Sequence, residues 1–406
     1  MKAEIEFINE GTVTSPKGFK AGSAYAGIKT YGESKQDIGI LVSEVLCVAA
    51  GVFTTLRIKA APVLVDQEKL KSGRAQAVVV NSGVANACTG EEGIKNAHEM
   101  ARLAAAQAGV KAADTYVAST GVIGVQLPMD KIAAGIGQIK LAEGGGHMLV
   151  RAMMTTDTVP KETAVRVKSG DREFTIGGVT KGSGMIHPNM GTMLCFIATD
   201  AALDVKFAQR AIKQAVEKSF NMITVDGDTS TNDTMLLFAN GLAGNKPITM
   251  ANEQGKAFQE ALDKVCITLA KKMAADGEGA TKLMEINVTG AASVKDARAV
   301  ARTIAGSSLV KTAVYGNDPN WGRIIAAAGR AGVAIEEQKL DLDIGSVPIL
   351  KGGKAINQFR MKEASDALNR KEVVINLNIN MGTAQGTAWG CDMTEGYIKE
   401  NAYYTT

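Results

Sequence analysis

Residues 181–200 carry the most distinctive chemistry in the sequence, KGSGMIHPNMGTMLCFIATD. A glycine-rich loop leads to Gly191, Thr192 follows, and an apolar strand begins at once. A threonine hydroxyl can attack the preceding carbonyl carbon when the residue before it is small and its backbone can distort. The cut would free an α-amine on the same residue, and with a pKa near ~8 that amine can act as general base. The pattern suggests a self-cleaving chain with Thr192 as nucleophile, although such spacing alone is more often that of a threonine that simply begins a strand after a turn.

Other reactive motifs fail on spacing. His98-Glu99 begins a zinc-protease H-E-x-x-H motif, but Arg102 occupies the position of the second histidine. The stretch 226–230 resembles the start of a calcium loop but lacks the later glycine and glutamate that such a loop needs. The phosphate-binding, dinucleotide-binding and nucleophile-elbow motifs are also missing from the sequence. Hydrolase, kinase and dehydrogenase interpretations of the common kinds are therefore unsupported, and we expect no metal and no bound cofactor.

Composition narrows the class further. The chain has 406 residues with 45 Lys+Arg against 42 Asp+Glu, a formal net charge of +3. So even a balance gives no electrostatic reason to expect nucleic acid or an anionic membrane as a partner. Hydrophobic residues make up 46% and charged residues 21%, as expected for a globular chain. Glycine is unusually frequent at 44 residues, which predicts tight turns and close backbone approaches.

The cysteines and the first residues indicate a cytoplasmic protein. Five cysteines are far apart and form no C-x-x-C pair, so neither a disulfide framework nor a zinc site is expected. The N-terminal MKAEIEFINEG has no apolar core of a secretory signal. The longest apolar run, 38–53, contains Ser43 and Glu44 and is short for a membrane span.

The hydrophobic patterns predict an α/β or α+β fold of mixed sheets layered with helices. Helices are predicted at 91–108, 129–141, 147–154, 205–220, 254–275 and 294–304, with Asp204 as an N-cap. Strands are predicted at 38–53, 77–80, 116–118, 192–198, 235–239, 283–288, 310–314 and 373–381, with a hairpin from 162–168 to 172–176.

Eight stretches together resemble the bacterial ornithine acetyltransferases, the glutamate N-acetyltransferases of arginine biosynthesis. The first is the segment 181–200. The others, in chain order, are VNSGVANACTG (80–90), ASTGVIG (118–124), MMTTDTVPK (153–161), FNMITVDGDTSTNDT (220–234), DGEGATK (276–282), YGNDPNWGRI (315–324) and ENAYYTT (400–406). The resemblance is collinear over essentially the whole chain. One departure is Gly191, where the family usually has alanine; both residues are small, so cleavage is expected to survive.

The resemblance implies an N-terminal-nucleophile-like acetyltransferase fold and a cut between Gly191 and Thr192. The cut gives an alpha piece, 1–191, and a beta piece, 192–406, which stay associated, with an α2β2 heterotetramer as the family's assembly. Thr192 would then take the acetyl group of N2-acetyl-L-ornithine as an ester and pass it to L-glutamate. This is ping-pong covalent catalysis.

The resemblance also implies a set of site residues. Thr120 and Gly121 match the oxyanion hole, in which a hydroxyl and a backbone N–H stabilise the tetrahedral intermediate. The remaining positions match substrate contacts: Thr155, Lys181, Thr192, Glu278, Asn401 and the C-terminal Thr406.

The expected roles of these contacts differ. Lys181 would bind the substrate carboxylate and Glu278 the ornithine ammonium, although charges like these are most often solvated surface groups. The assignment of Thr155 rather than Thr156 as the substrate contact stays open. A C-terminal residue is usually frayed, but a substrate contact by Thr406 requires an ordered tail folded into the pocket, and this is what we expect. Asn232-Asp233 and residues 317–320 are expected to support turns around the site.

Three functions remain in competition on the residues themselves. The first is the acetyltransferase, for which acetyl-CoA stays open as a second donor. The second is an N-terminal-nucleophile aminopeptidase or amidase, which would give the acyl group to water unless water is excluded. The third is a small-molecule-binding protein in which Thr192 is only structural.

Overall fold

The computed structural model describes residues 3–29, 35–170, 172–187, 193–250, 253–356 and 360–403. Gly191, Thr192 and Thr406 therefore lie outside the described residues. In chain order the strands are β1 Glu4–Phe7, β2 Phe19–Ala24, β3 Ile38–Phe53, β4 Arg74–Val84, β5 Thr115–Val122, β6 Lys161–Ser169, β7 Arg172–Lys181, β8 Leu194–Thr199, β9 Ile223–Thr224, β10 Thr234–Ala239, β11 Leu283–Ala291, β12 Asp341–Ile344, β13 Val347–Lys351, β14 Lys354–Ala355, β15 Glu372–Asn378 and β16 Ala384–Cys391. The helices are α1 Ala61–Lys69, α2 Gly90–Ala108, α3 Met129–Gln138, α4 Gly146–Met153, α5 Val205–Lys218, α6 Glu253–Ala275, α7 Val294–Ala305, α8 Ser308–Tyr315, α9 Trp321–Gly329, α10 Met361–Leu368 and α11 Glu395–Tyr403.

The strands form two mixed sheets, which confirms the predicted fold class. The first sheet runs β1-β6-β7-β8-β10-β3-β4-β5, with β2 paired to β3. Its β4–β5 and β8–β10 pairs are parallel and its other pairs antiparallel. The second sheet runs β14-β13-β12-β15-β11-β16-β9. Because β7 ends at Lys181 and β8 begins at Leu194, the proposed junction falls between two paired strands of one sheet.

Helix α6 lies between the two sheets and joins their cores. It packs on β6 and β7 of the first sheet and on β11 and β16 of the second. Its buried face includes Phe258, Leu262, Val265 and Leu269, spaced three or four residues apart as a helix facing a core requires. No helix among the described residues is both long and apolar enough to cross a membrane.

Several local predictions are confirmed for clear physical reasons. The apolar run 38–53 is one strand, β3. Helix α5 begins after Asp204, whose carboxylate accepts a hydrogen bond from the Phe207 backbone N–H at 2.9 Å, the expected N-cap geometry. Strand β15 alternates buried and partly exposed residues, as the Val-Ile-Leu pattern predicts for a half-buried strand.

The strand predicted at 310–314 is wrong, because this segment lies within helix α8. Val310, Ala313 and Val314 are buried at helical spacing, i, i+3 and i+4. The valines at both ends of VKTAV favour a strand by propensity, but packing overrides that weak preference. The buried Lys311 at i+1 completes the helical face and breaks the alternation that a strand needs.

Candidate active site

A cleft brings together six of the residues that the sequence predicts for the site. They come from five stretches of the chain that are far apart in sequence: Thr120, Gly121, Thr155, Lys181, Glu278 and Asn401. The rest of the described lining is Ala85, Ile123, Thr156, Gly184, Met185, Ser230, Thr231 and Asn232. The predicted roles of Gly191, Thr192 and Thr406 fall on residues outside the described ranges and stay predictions.

Thr120 and Gly121 lie near the end of strand β5, which approaches the parallel strand β4 closely at this point. Gly121 at the end of β5 has φ +131°, and a Cβ added there would lie 2.3 Å from the carbonyl carbon of Gly83 on β4. Only glycine fits such a position without moving the backbone. Both Thr120 and Gly121 line the cleft.

Asn232 holds the backbone next to this strand end by two hydrogen bonds. Its Nδ2 donates to the carbonyl oxygens of Ala85 at 2.6 Å and Ser119 at 2.8 Å. The Ser119 hydroxyl donates to Asn81 Oδ1 at 2.6 Å. Asn232 thus supports the backbone beside Thr120, in line with the supporting role expected from the sequence. It also lines the cleft itself.

Lys181 is buried, contrary to the ordinary expectation of a solvated lysine. Its side chain reaches the cleft from the end of β7, and the residue is 3% exposed. The Nζ donates to Thr120 Oγ1 at 3.1 Å and to Thr155 Oγ1 at 2.9 Å. An ammonium has three N–H donors, and two of them go to these hydroxyls among the described residues, which leaves the third for an anion in the cleft.

The same contact orients the Thr120 hydroxyl. Because the Thr120 oxygen accepts from the Lys181 ammonium, the hydroxyl proton of Thr120 is free to donate in another direction. Burial lowers the pKa of Lys181, and the carboxylate of Asp157 opposes that effect most strongly.

The two candidate threonines differ in their partners. Thr155 Oγ1 contacts Lys181, whereas Thr156 Oγ1 lies 2.6 Å from the Ser183 hydroxyl. Both line the cleft. A substrate group held by the Lys181 ammonium would therefore also be next to Thr155.

Glu278 and Asn401 bring a second charged group and an amide to the cleft. Asn401, on the exposed helix α11, donates from Nδ2 to Glu278 Oε2 at 2.8 Å. The Glu278 backbone N–H donates to the Ser183 carbonyl at 2.9 Å. A Cβ at Gly184 would lie 2.3 Å from the Glu278 carboxylate, so the glycine makes room for that side chain.

The loop that leads to the proposed cut is clamped by Asp226. Its carboxylate accepts from the backbone N–H groups of Met185 at 2.5 Å and Ile186 at 2.9 Å. Met185 has φ +56°, a strained conformation for a residue with a side chain. The Val225 N–H also donates to the Ile186 carbonyl at 2.8 Å. The loop thus has a defined backbone conformation up to Ile186, shortly before the proposed cut.

Asp233 is a functional candidate whose detailed role the sequence does not reveal. Its Oδ1 accepts from the backbone N–H of Met193 at 3.0 Å, and Met193 directly follows the proposed nucleophile. Its Oδ2 is buried and has no hydrogen-bond partner among the described residues. Burial raises the pKa of Asp233 well above its ordinary value. A lone carboxylate after an asparagine gives no sequence signal for such a role, because its burial depends on the fold.

Comparisons with known proteins agree with the geometry. The ArgJ family model matches residues 20–406. A protein from Dehalococcoides mccartyi strain CBDB1, named arginine biosynthesis bifunctional protein ArgJ, is 51% identical over 406 residues, covering all of both chains. A protein of the same name from Symbiobacterium thermophilum is 50% identical over 98% of this chain and 99% of its own.

A solved structure matches as well. The crystal structure of arginine biosynthesis bifunctional protein argJ from Bacillus halodurans superposes with a TM-score of 0.50 at 45% identity. The match covers 52% of this chain and 98% of that one. These findings confirm the resemblance that the sequence motifs predict: the chain belongs to the ArgJ family.

Proposed function

We propose that this chain moves the acetyl group of N2-acetyl-L-ornithine to L-glutamate, giving L-ornithine and N-acetyl-L-glutamate in arginine biosynthesis. The observation that carries the proposal is the convergence of Thr120, Gly121, Lys181 and Glu278 in one cleft. The proposal agrees with the names of the relatives, which are arginine biosynthesis bifunctional proteins. An aminopeptidase would share the self-cleavage chemistry, but the family membership favours acetyl transfer.

In the first half-reaction the Thr192 hydroxyl would attack the acetyl carbonyl carbon while the Thr192 α-amine takes the hydroxyl proton. Negative charge then develops on the carbonyl oxygen, where the Thr120 hydroxyl and the Gly121 N–H would donate to it. The C–N bond breaks, the amine of ornithine leaves with the proton, and an acetyl-threonine ester remains. In the second half-reaction the amine of glutamate attacks that ester, and the Thr192 hydroxyl is restored.

The two charged ends of the cleft suit an acetylated diamino acid. The N–H of the Lys181 ammonium that contacts neither Thr120 nor Thr155 would bind the substrate carboxylate, beside the Thr155 hydroxyl. The Glu278 carboxylate, with Asn401 bonded to it, would bind the side-chain ammonium. We extend the proposal to Thr406 as a further substrate contact, since it follows Asn401 by only five residues in the sequence.

Self-cleavage between Gly191 and Thr192 is part of the proposal. The pieces 1–191 and 192–406 would stay joined because β7 of one pairs with β8 of the other. The second piece would be just over half of the chain, and the Bacillus halodurans chain matches 52% of this chain over 98% of its own length. We propose an α2β2 assembly in the cytoplasm and no resident cofactor, with acetyl-CoA as a second acetyl donor for glutamate.

The test is an acetyl-transfer assay on the purified chain. N2-acetylornithine with glutamate should yield ornithine and N-acetylglutamate in equal amounts, and omission of glutamate should stop steady product release. Release of acetate at the same rate without glutamate would overturn the proposal in favour of an amidase. Assaying glutamate with acetyl-CoA as the only donor tests the second activity separately.

A Lys181→Met variant should bind the substrate carboxylate poorly. The KM for N2-acetylornithine should rise about 10- to 100-fold, since a hydrogen bond to a charged group contributes about 1.5–3 kcal/mol. In the wild type the KM should rise with pH, because the buried ammonium loses its proton at a lower pH than an exposed lysine. KM measured against pH checks both effects.

The matched control for Lys181 is Lys271→Met, which removes an ion pair with Glu285 outside the cleft. It should keep the KM and its alkaline rise. A Lys181→Met enzyme that keeps the wild-type KM and pH profile would contradict the assignment.

A Glu278→Gln variant should lose recognition of the side-chain ammonium. The kcat/KM for N2-acetylornithine should fall by about tenfold, the effect of one charge-assisted hydrogen bond. The kcat/KM for N2-acetylnorvaline, which has no side-chain ammonium, should stay near its wild-type value. The control Glu395→Gln, on α11 and bonded to Tyr315, should change neither. An equal loss for both donors would show that Glu278 does not bind the ammonium.

A further inference from the structure

A buried ion cluster lies behind the cleft, and we name Asp157, Lys161 and Asp276 the clasp. The Lys161 Nζ lies 2.5 Å from Asp157 Oδ1 and 2.5 Å from Asp276 Oδ2, and 3.5 Å from the Val159 carbonyl oxygen. The side chains of Lys161 and Asp157 are fully buried and that of Asp276 is 7% exposed. Each N–H of the ammonium therefore has an acceptor, so the cluster is fully satisfied.

The Asp157 end of the clasp holds the part of the cleft that binds the carboxylate. Asp157 Oδ2 accepts from the backbone N–H of Thr155 at 3.0 Å, and Oδ1 accepts from that of Gly182 at 2.7 Å. Thr155 lines the cleft, and Gly182 directly follows Lys181. One carboxylate thus fixes the backbone at both of these cleft residues. Burial alone would raise the pKa of Asp157, but the Lys161 and Lys181 ammonium groups hold it at about 2.

The Asp276 end of the clasp lies on the loop that carries Glu278. Asp276 follows helix α6 and stands two residues before Glu278. Its Oδ2 accepts from the backbone N–H of Thr158 at 3.0 Å, and its Oδ1 accepts from the Thr158 hydroxyl. The loop 154–160 and the loop that carries Glu278 are therefore tied through Asp276 and Lys161.

We infer that Lys161 and Asp276 are positioning residues that set the distance between the carboxylate end and the ammonium end of the cleft, and thereby select the length of the substrate side chain. The inference rests on the proposed function, since it takes Lys181 and Glu278 as the two ends. Ornithine and lysine differ by one methylene. To discriminate between them, the cleft must keep the distance between its two charged groups from increasing by the ~1.5 Å that one carbon adds.

A role in stability alone explains the clasp less well. Buried ion pairs often stabilise a protein no more than apolar residues of the same volume do. They do impose direction, because each hydrogen bond fixes the two groups it joins. The clasp also joins residues on both sides of the proposed cut, so it would keep this spacing after cleavage.

The first test is calorimetric binding of free L-ornithine and L-lysine to Asp276→Asn, which needs no turnover. The wild type should prefer ornithine, and the variant should lose about tenfold or more of that preference, given the cost of misplacement by about 1 Å. If Asp276→Asn does not fold, Thr158→Val serves instead. It removes only the hydroxyl that donates a hydrogen bond to Asp276 Oδ1, and it should also reduce the preference for ornithine.

The matched control is Asp263→Asn on helix α6, which weakens an ion pair of the same 2.5 Å length with Lys218 away from the cleft. It should lower the thermal unfolding temperature without changing the preference. If Asp276→Asn or Thr158→Val keeps the full preference for ornithine, the inference is overturned while the proposed function stands. If the wild type binds neither amino acid, the proposed function fails with it.

The second test uses the pH dependence of ornithine binding. Charged groups reach Lys181 from several elements: the carboxylates of Asp157, Glu278 and Asp233 and the ammonium groups of Lys161 and Lys29. Asp157 is the strongest of the groups that keep Lys181 protonated. Asp157→Asn should therefore move the alkaline loss of binding to lower pH, whereas Asp276→Asn should leave it in place.

A split of this kind separates the two ends of the clasp. One variant changes the protonation of Lys181, and the other changes only the selection of side-chain length. Equal pH shifts in both variants, or none in Asp157→Asn, would overturn the assignment of positions within the clasp.

Discussion

A Thr192→Ala variant should remain one chain of full length and should transfer no acetyl group. The methyl side chain of alanine has no nucleophile, so neither the attack on the Gly191 carbonyl nor the attack on the acetyl carbonyl can occur. Loss of the nucleophile in a covalent enzyme lowers kcat by about 10⁶-fold. A denaturing gel with intact-mass analysis checks cleavage, and the ornithine-release assay checks transfer.

Two further variants make this prediction specific. Thr192→Ser keeps a hydroxyl and should both cut and transfer, at altered rates. Gly191→Ala restores the small residue usual in the family and should also cut. In the wild type, sequencing of the second piece should begin at Thr192. A wild-type chain that transfers acetyl while wholly uncut, or cleavage that persists in Thr192→Ala, would contradict the role of Thr192.

A Thr120→Val variant should bind substrate but react slowly. Valine has the shape of threonine without the hydroxyl. The oxyanion therefore loses one donor, while the backbone of β5 at Gly121 keeps its conformation. Removing one such donor lowers kcat by about 10²–10³-fold, or about 2.7–4 kcal/mol. We expect a smaller change in KM, because Lys181 keeps its contact with Thr155. Steady-state kinetics with N2-acetylornithine as the varied substrate separates the two parameters.

The controls for this variant lie in the same cleft. Thr120→Ser keeps the donor and should retain most of the activity. Thr156→Val removes a hydroxyl that contacts Ser183 rather than Lys181, and it should cost far less than Thr120→Val. If Thr120→Val kept its kcat and raised only the KM, Thr120 would serve in positioning Lys181 instead of stabilising the oxyanion.

The local predictions succeeded where a short stretch decides its own structure. Asp204 caps α5 because its carboxylate needs to reach only three residues along the chain. Strand β15 follows from the alternation of its own residues. The segment 310–314 failed because its preference is weak and its packing partners lie elsewhere in the chain.

The cleft itself was predictable only in its members. The motifs name Thr120, Lys181 and Glu278, because chemistry requires particular residue types at those points. The contacts among them join residues separated by many positions, such as Lys181 and Thr120 at 61 positions apart. No spacing rule reaches that far, so the partner of each group follows from the sheet order.

Residues to which the sequence assigns no role show the same limit. Asp157, Lys161 and Asp276 lie within the matching stretches, but nothing in the sequence shows that they are buried and paired with one another. Asp233 is a carboxylate whose burial could be recognised only from its surroundings.

The sequence by itself determined the family, the reaction class and the residue types at the site, because a small residue before a threonine and a collinear set of motifs are local properties of the chain. The tertiary structure decided which groups meet: that Thr155 rather than Thr156 contacts Lys181, and that a buried clasp ties the two charged ends of the cleft together. The physical reason is that hydrogen bonds and ion pairs act over about 3 Å in space, whatever the separation of their partners along the chain.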